Sequence, residues 1–113
     1  MVVLAIVSDL MFRSKIETAA GDGLTVRVVA QADAALAAVR EGSYARILLD
    51  LDGVPEPMAL VTGLRAAAPS TPIIGFCSHV EMALQRDALM AGCAQVLPRS
   101  VFVQRLPELL AGK

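Results

Sequence analysis

Short apolar runs alternate along this chain with longer segments in which apolar residues recur at helical spacing. The runs are continuously aliphatic, which is typical of strands whose two faces are both buried in a parallel sheet. The segments between them end at glycine or proline, the residues that most often stop a helix. The pattern predicts five strands, at residues 2–7, 24–30, 46–50, 73–77 and 95–97.

A helix is predicted after each strand, and several residues indicate where these helices begin. Asp33 is expected to cap the second helix, because a carboxylate can accept hydrogen bonds from first-turn N–H groups. Ser78 and Glu81 have the spacing of a capping box at the start of the fourth helix. Pro107 is tolerated only in a first turn, so the fifth helix is expected to start near residue 103 or 104. The predicted helices cover residues 11–20, 33–42, 57–67, 78–92 and 103–111.

Successive strand–helix units with short connections predict a parallel sheet with helices on both faces. We expect an α/β fold of the flavodoxin-like, doubly wound type, with five strands in the order 2-1-3-4-5. The 113 residues suit a single domain with one core. We expect no output domain in addition to it.

Composition and charge exclude several classes of function. Ten basic and 11 acidic residues give a net charge of -1, so we expect neither a nucleic-acid nor an anionic-lipid surface. Mean hydropathy is high at +0.62, but the longest uncharged stretch contains two prolines and is shorter than a membrane-spanning helix. Cys77 and Cys93 form neither a disulfide framework nor a metal-binding pattern. Reduced thiols and a cytoplasmic location are therefore expected.

Polar side chains follow the predicted strands at the edge where their carboxyl ends meet. Asp9 follows the first strand, Asp50 ends the third, and Arg99 follows the fifth. Open α/β folds bind ligands at this edge. Two neighbouring carboxylates repel each other unless a cation lies between them, and hard oxygen ligands suit Mg²⁺. A carboxylate beside such a metal can accept a phosphoryl group. The alternative is that both acids only cap helices, which suits Asp9 better because a proline-rich loop follows Asp50.

The order and spacing of four segments resemble the receiver domain of two-component response regulators. The resemblance covers essentially the whole chain, and no single segment is decisive. It implies a signalling protein that receives a phosphoryl group from a histidine kinase and acts through protein contacts, without an enzymatic activity of its own. The four segments are residues 5–9, 47–51, 72–78 and 91–99.

The resemblance also assigns roles to individual residues. It makes Asp50 the phosphoacceptor and Asp9 a direct Mg²⁺ ligand, and it gives the backbone carbonyl of Asp52 to the metal. Cys77 takes the position of the switch threonine or serine. Arg99 takes the position of the lysine that pairs with the phosphorylated aspartate.

Several of these positions depart from the receiver pattern. Ser8 stands where receivers usually carry the first of two acids, which should weaken Mg²⁺ binding or abolish it. Cys77 is a poor hydrogen-bond donor to phosphate, and the planar fork of Arg99 does not place charge as an ammonium would. Val96 stands where the family often has an aromatic residue.

Asp50 is thus intact while its supporting residues are altered, and we expect an atypical receiver, or pseudo-receiver, in two-component or phosphorelay signalling. Asp50 is then either a slow phosphoacceptor or a relic. Three alternatives stay open. The chain could be a fully functional Mg²⁺-dependent phosphoacceptor, Arg99 could form a permanent ion pair with Asp50, or the fold could serve as a small-ligand-binding domain.

A partner surface is predicted on the fourth helix. Met82 and Leu89 are seven residues apart and fall on its outer face, and an exposed apolar pair can mark a contact surface. Val101 and Phe102 are expected to extend this surface. It resembles the output face of receivers, so we expect a histidine kinase or another signalling protein there, or a homodimer through helix four, strand five and helix five. The core side of the fourth helix is expected to carry Val80, Ala83, Leu84, Ala88 and Ala91.

Overall fold

Parallel strands form one sheet covered by helices on both faces. The structure, a computed structural model, describes residues 1–78 and 82–112. Within these residues the sheet has five strands in the order β2-β1-β3-β4-β5, all paired in parallel. The predicted fold class is therefore confirmed, and no strand end differs from the prediction by more than one residue. The strands are β1 (Val2–Ile6), β2 (Thr25–Val29), β3 (Arg46–Asp50), β4 (Ile73–Cys77) and β5 (Gln95–Pro98).

Helices connect successive strands, and two further helices follow the last strand. In the described part of the chain, none of them has the length and apolarity needed to cross a membrane. They are α1 (Leu10–Ala20), α2 (Ala32–Glu41), α3 (Pro57–Ala67), α4 (Met82–Ala91), α5 (Arg99–Gln104) and α6 (Leu106–Ala111).

Two predicted helix starts need comment. The prediction that Asp33 caps α2 is wrong, because the cap position falls on Gln31, whose side chain makes no capping hydrogen bond. Asp33 lies instead in the first turn, where its charge still favours the positive end of the helix dipole. The capping box predicted for Ser78 and Glu81 lies partly outside the described residues, as does the predicted core position Val80.

The carboxyl-terminal helix is the main departure from the sequence prediction. It does not start at residue 103 or 104: α5 begins at Arg99, directly after β5, and a second helix, α6, begins at Leu106. Pro107 does lie in a first turn, but in that of α6. Proline lacks an N–H and clashes with the preceding turn, so the helix is interrupted at Arg105 and a new helix begins at Leu106.

The core has one layer on each side of the sheet, and β3 lies at its centre with every residue buried. Alternate β3 residues face opposite layers, as the two-residue period of a strand requires. Ile47 and Leu49 pack under α2, α3 and α4, while Leu48 packs under α1, α5 and α6. Asp50 ends this strand and is itself buried, so the central strand delivers a carboxylate to the carboxyl edge of the sheet.

Candidate functional site

Asp50 is the centre of the site. Its side chain is only 6% exposed, and its Oδ1 accepts a hydrogen bond from the backbone N–H of Asp52 at 3.1 Å. The next residue, Gly53, passes so close that a β-carbon there would lie 3.1 Å from Oδ2 of Asp50. The loop after β3 therefore wraps around the carboxylate and restricts its position.

Arg99 forms an ion pair with Asp50. Its Nη2 lies 3.3 Å from Oδ1 and 3.4 Å from Oδ2 of Asp50, and 3.9 Å from Oδ2 of Asp52. The two residues are 49 positions apart along the chain, and the order of the strands brings them together. The structure thus places a guanidinium against the carboxylate, as the permanent-pair alternative requires.

The guanidinium also rests on an aromatic stack that the sequence reasoning did not find. Arg99 Cζ lies 5.1 Å from the ring centroid of Phe12, within the range of a cation–π interaction. Phe12 stacks on Phe76 with centroids 4.8 Å apart, and Phe76 stacks on Phe102 at 4.0 Å. The signal in the sequence was available: Phe12 lies three residues after Asp9, on the inward face of the predicted first helix.

Asp52 connects two loops at the site. Its Oδ2 accepts hydrogen bonds from both the backbone N–H and the Oγ of Ser78, at 2.7 and 2.6 Å. Its role predicted from the resemblance, as a carbonyl donor to a metal, is not tested by this contact. The sequence places Ser78 at this edge and predicts a capping role for it, but it does not predict the contact with Asp52.

Asp9 acts as a helix cap. Its Oδ1 accepts hydrogen bonds from the backbone N–H groups of Met11 and Phe12, at 2.9 and 3.2 Å. Asp9 and Arg99 line the same open surface hollow. The structure thus places Arg99 in direct contact with Asp50 and along one hollow with Asp9, and Ser8 is exposed.

Cys77 and Val96 lie below the site in the core. Cys77 is fully buried and Val96 nearly so. Burial raises the pKa of the Cys77 thiol, and the negative charges of Asp52 and Asp50 act in the same direction, against a smaller effect of Arg99. Burial and the raised pKa both disfavour the reactive thiolate form of Cys77.

Burial also controls the charge of Asp50. It raises the pKa of the Asp50 carboxyl above its ordinary value, although the charge of Arg99 and the N–H of Asp52 act in the opposite direction. Desolvation disfavours the ionised form of any carboxyl. Arg99 therefore compensates the buried charge of Asp50 only in part.

The residues as placed do not fit a Mg²⁺ site. Within residues 1–78 and 82–112, no three Asp, Glu, His or Cys side chains are grouped so that they could hold a metal ion. The guanidinium of Arg99 further supplies positive charge at the point where a cation would have to approach Asp50.

The residues of the predicted partner surface are exposed only in part. Met82 is 88% exposed and Leu89 41% exposed, and Met90, which the sequence reasoning left out, is 80% exposed. Val101 is half-buried. The inclusion of Phe102 is wrong: it is fully buried, because the early start of α5 turns it inward onto Phe76.

The predicted core side of α4 also needs one correction. Ala83 is exposed, whereas Ala88 is buried and Leu84 and Ala91 are half-buried. Alanine is small and compatible with either environment, so its presence does not indicate which face of a helix is buried.

The fold matches those of solved response regulators. A response regulator from Thermotoga maritima has a TM-score of 0.86 and 17% identity, covering 98% of this chain and 94% of that chain. The chemotaxis response regulator CheY4 of Vibrio cholerae has a TM-score of 0.85 and 20% identity, covering 98% and 96%. HP1043, an orphan response regulator of H. pylori, has a TM-score of 0.83 and 13% identity, covering 99% and 92%. No protein-family model and no curated protein sequence matches the chain.

These identities are low, and likeness at this level defines the fold alone. The chain has the receiver fold of response regulators, and the resemblance noted from its sequence is confirmed at that level.

Proposed function

We propose that this chain is an atypical receiver that transmits a signal through protein contacts in two-component or phosphorelay signalling. The observation that carries the proposal is the placement of Asp50. It ends the central strand of a receiver fold, is buried, and is ion-paired with Arg99. The proposal includes a cytoplasmic location.

Asp50 is proposed as a slow phosphoacceptor at most. In such a step a carboxylate oxygen of Asp50 attacks phosphorus, a new O–P bond forms, and the leaving group departs with the electrons of its own bond to phosphorus. Two features oppose the step. Burial favours the protonated, non-nucleophilic carboxyl, and Arg99 Nη2 contacts both carboxylate oxygens. Arg99 offers some compensation, because a guanidinium can stabilise the transferred group.

Signal output is proposed to occur through α4, where Met82, Leu89 and Met90 are exposed. Arg86 and Asp87 lie between them and are also exposed, so the apolar side chains are bordered by charge, as at a protein-binding surface. The proposed occupant is another signalling protein, such as a histidine kinase, and the chain itself catalyses no turnover.

Phosphorylation is tested by intact-mass measurement after incubation with acetyl phosphate and Mg²⁺. We expect the wild type to gain no more than a slow, partial phosphoryl adduct, and Asp50→Asn to gain none. Asp22→Asn, which changes an exposed loop acid, is the matched control and should behave as the wild type. A rapid, stoichiometric adduct would establish the fully functional alternative. An adduct that survives in Asp50→Asn would remove Asp50 from the proposal.

Homodimer formation through the same surface is tested by sedimentation velocity. If the chain dimerises and Met82→Glu abolishes the dimer, a second copy rather than a different protein occupies α4. Met1→Glu serves as the control, because Met1 is 76% exposed and lies outside α4.

A further inference from the structure

A single nitrogen of Arg99 marks the point at which the carboxylates of the site converge. Nη2 lies 3.3 and 3.4 Å from the two oxygens of Asp50 and 3.9 Å from Oδ2 of Asp52. Two carboxylates around one positively charged centre form an arrangement that a hard divalent cation also accepts, since Mg²⁺ commonly takes one or two carboxylates and fills its other positions with water.

Arg99 is held at this point from several sides. It is the first residue of α5, and Pro98 of β5 precedes it without an intervening loop. Its guanidinium rests on the ring of Phe12, 5.1 Å from the centroid. These two features position the guanidinium against the carboxylates.

The charge of Arg99 opposes any second cation at this position. Arg99 already offsets part of the negative charge that Asp50 and Asp52 would offer to a cation. Even with the dielectric constant of bulk water, a unit positive charge about 4 Å from a divalent ion weakens binding of that ion by more than about tenfold. The lower effective dielectric around a buried carboxylate increases this effect.

We propose that Arg99 is the built-in cation of this site and excludes divalent ions from it. Removal of its charge creates a Mg²⁺ or Mn²⁺ site on Asp50 and Asp52 that the wild type lacks. This inference concerns the selection of ions by the site, and it does not depend on the proposed role in signalling.

The experiment compares thermal unfolding in MgCl₂ with unfolding in NaCl of equal ionic strength, and it measures Mn²⁺ binding by relaxation of nearby amide resonances. Four proteins are compared: the wild type, Arg99→Gln, Arg99→Gln combined with Asp50→Asn, and Arg13→Gln. The last variant removes the same charge from an exposed α1 residue and controls for net charge.

The proposal predicts that Mg²⁺ stabilises Arg99→Gln in a saturable manner and binds it at least about tenfold more tightly than the wild type. Arg13→Gln should respond as the wild type, and Asp50→Asn should remove the gain. Saturable stabilisation of the wild type by Mg²⁺ beyond the NaCl control would overturn the proposal, and this measurement needs no variant to fold. A folded Arg99→Gln that binds Mg²⁺ no better than Arg13→Gln would also overturn it.

The result is independent of the phosphorylation assay. The wild type can exclude Mg²⁺ and still fail to act as a receiver, or accept a phosphoryl group while binding Mg²⁺. Failure of this inference is therefore distinguishable from failure of the proposed function.

Discussion

Both donors of Ser78, its backbone N–H and its Oγ hydroxyl, point to the same carboxylate oxygen of Asp52, at 2.7 and 2.6 Å. Ser78 directly follows β4, and Asp52 lies in the loop that follows β3. The two hydrogen bonds therefore tie together the loops that border Asp50. Hydrogen bonds to a carboxylate are in general stronger than those between neutral groups.

Ser78→Ala should lower the free energy of unfolding by about 1 kcal/mol. The variant loses the hydroxyl donor but keeps the N–H, and the half-exposed Asp52 carboxylate regains water at the vacated position. Urea denaturation provides the measurement. Ser43→Ala, in the exposed loop before β3, is the control and should change stability by less than about 0.5 kcal/mol. Equal effects of the two substitutions would show that the loop contact contributes nothing.

Gly53→Ala should lower the free energy of unfolding by about 1 kcal/mol or more, because the site has no room for another carbon. The added β-carbon would lie 3.1 Å from Oδ2 and 3.2 Å from Cγ of Asp50. The carboxylate would have to shift within its buried position. Gly23→Ala is the matched control, since its β-carbon meets no atom within 4 Å. That substitution should be neutral or stabilise by up to about 1 kcal/mol through the unfolded chain. Chemical denaturation of both variants tests the contrast, and a neutral Gly53→Ala would contradict it.

The sequence predicted the sheet and the site at different levels of detail. Strand identity and order followed from local patterns, because a parallel sheet buried on both faces requires continuous apolar runs such as Ile47 to Leu49. The pairing of Asp50 with Arg99 followed from topology, since both residues stand at the carboxyl ends of strands. These predictions needed no knowledge of side-chain conformation.

The predictions that failed depended on helix phase and on side-chain packing. A start of α5 four or five residues earlier than expected turns Phe102 from the surface into the core, and no local pattern distinguished the two starts. The contact of Arg99 with Phe12 depends on a rotamer, and the contact of Asp52 with Ser78 joins loops of no regular geometry. Spacing along the chain does not determine such contacts.

Arg46 is the second buried polar residue in the described part of the chain, and its substitution should loosen α6. Its guanidinium donates a hydrogen bond to the backbone carbonyl of Leu110, where a cation also favours the negative end of the helix dipole. Arg46→Lys keeps the charge but loses the planar fork. We expect a loss of about 1–2 kcal/mol in the free energy of unfolding and faster hydrogen exchange at the α6 amides.

The control for Arg46 is Arg40→Lys, an exposed substitution in the last turn of α2. It should leave both stability and hydrogen exchange unchanged. Unaltered exchange at α6 in Arg46→Lys would mean that the apolar contacts of Leu106, Leu109 and Leu110 hold the helix without the arginine.

The two cysteines should resist alkylation by iodoacetamide in the native protein at pH 8. Burial raises the pKa of the Cys93 thiol to about 11, from an ordinary value of 9.0, which lowers its thiolate fraction about 100-fold. The pKa of Cys77 is also raised, and its side chain is fully buried. Both should react at the ordinary thiol rate in urea. Rapid native-state modification of Cys77 would favour a redox-sensing role over a packing role.

The raised pKa of Asp50 determines how its charge affects stability with pH. The folded protein holds the Asp50 proton more tightly than the unfolded chain, whose carboxyl has the ordinary pKa. Between these two pKa values the folded state alone is protonated, so stability falls as pH rises. The contribution of Asp50 is therefore fully present below the unfolded pKa and is lost as pH rises through the folded pKa.

Asp50→Asn and Arg99→Ala should consequently have opposite effects at neutral pH. Asp50→Asn removes a buried charge that Arg99 compensates only in part, so the variant should be at least as stable as the wild type and should lack the decline of stability with rising pH. Arg99→Ala leaves the buried carboxylate without its cation and should lower the free energy of unfolding by about 1–3 kcal/mol. This cost is smaller than for a fully buried pair, because a third of the Arg99 side chain is exposed to screening solvent. The stability of Arg99→Ala should decline more strongly with rising pH than that of the wild type, since Asp50 loses the charge that lowers its pKa.

Urea denaturation of the wild type and the two variants between about pH 4 and 8 tests the direction of both stability changes. If Asp50→Asn is less stable than the wild type at pH 7, the ion pair outweighs the desolvation of Asp50, and the direction argued for the pKa of Asp50 is wrong.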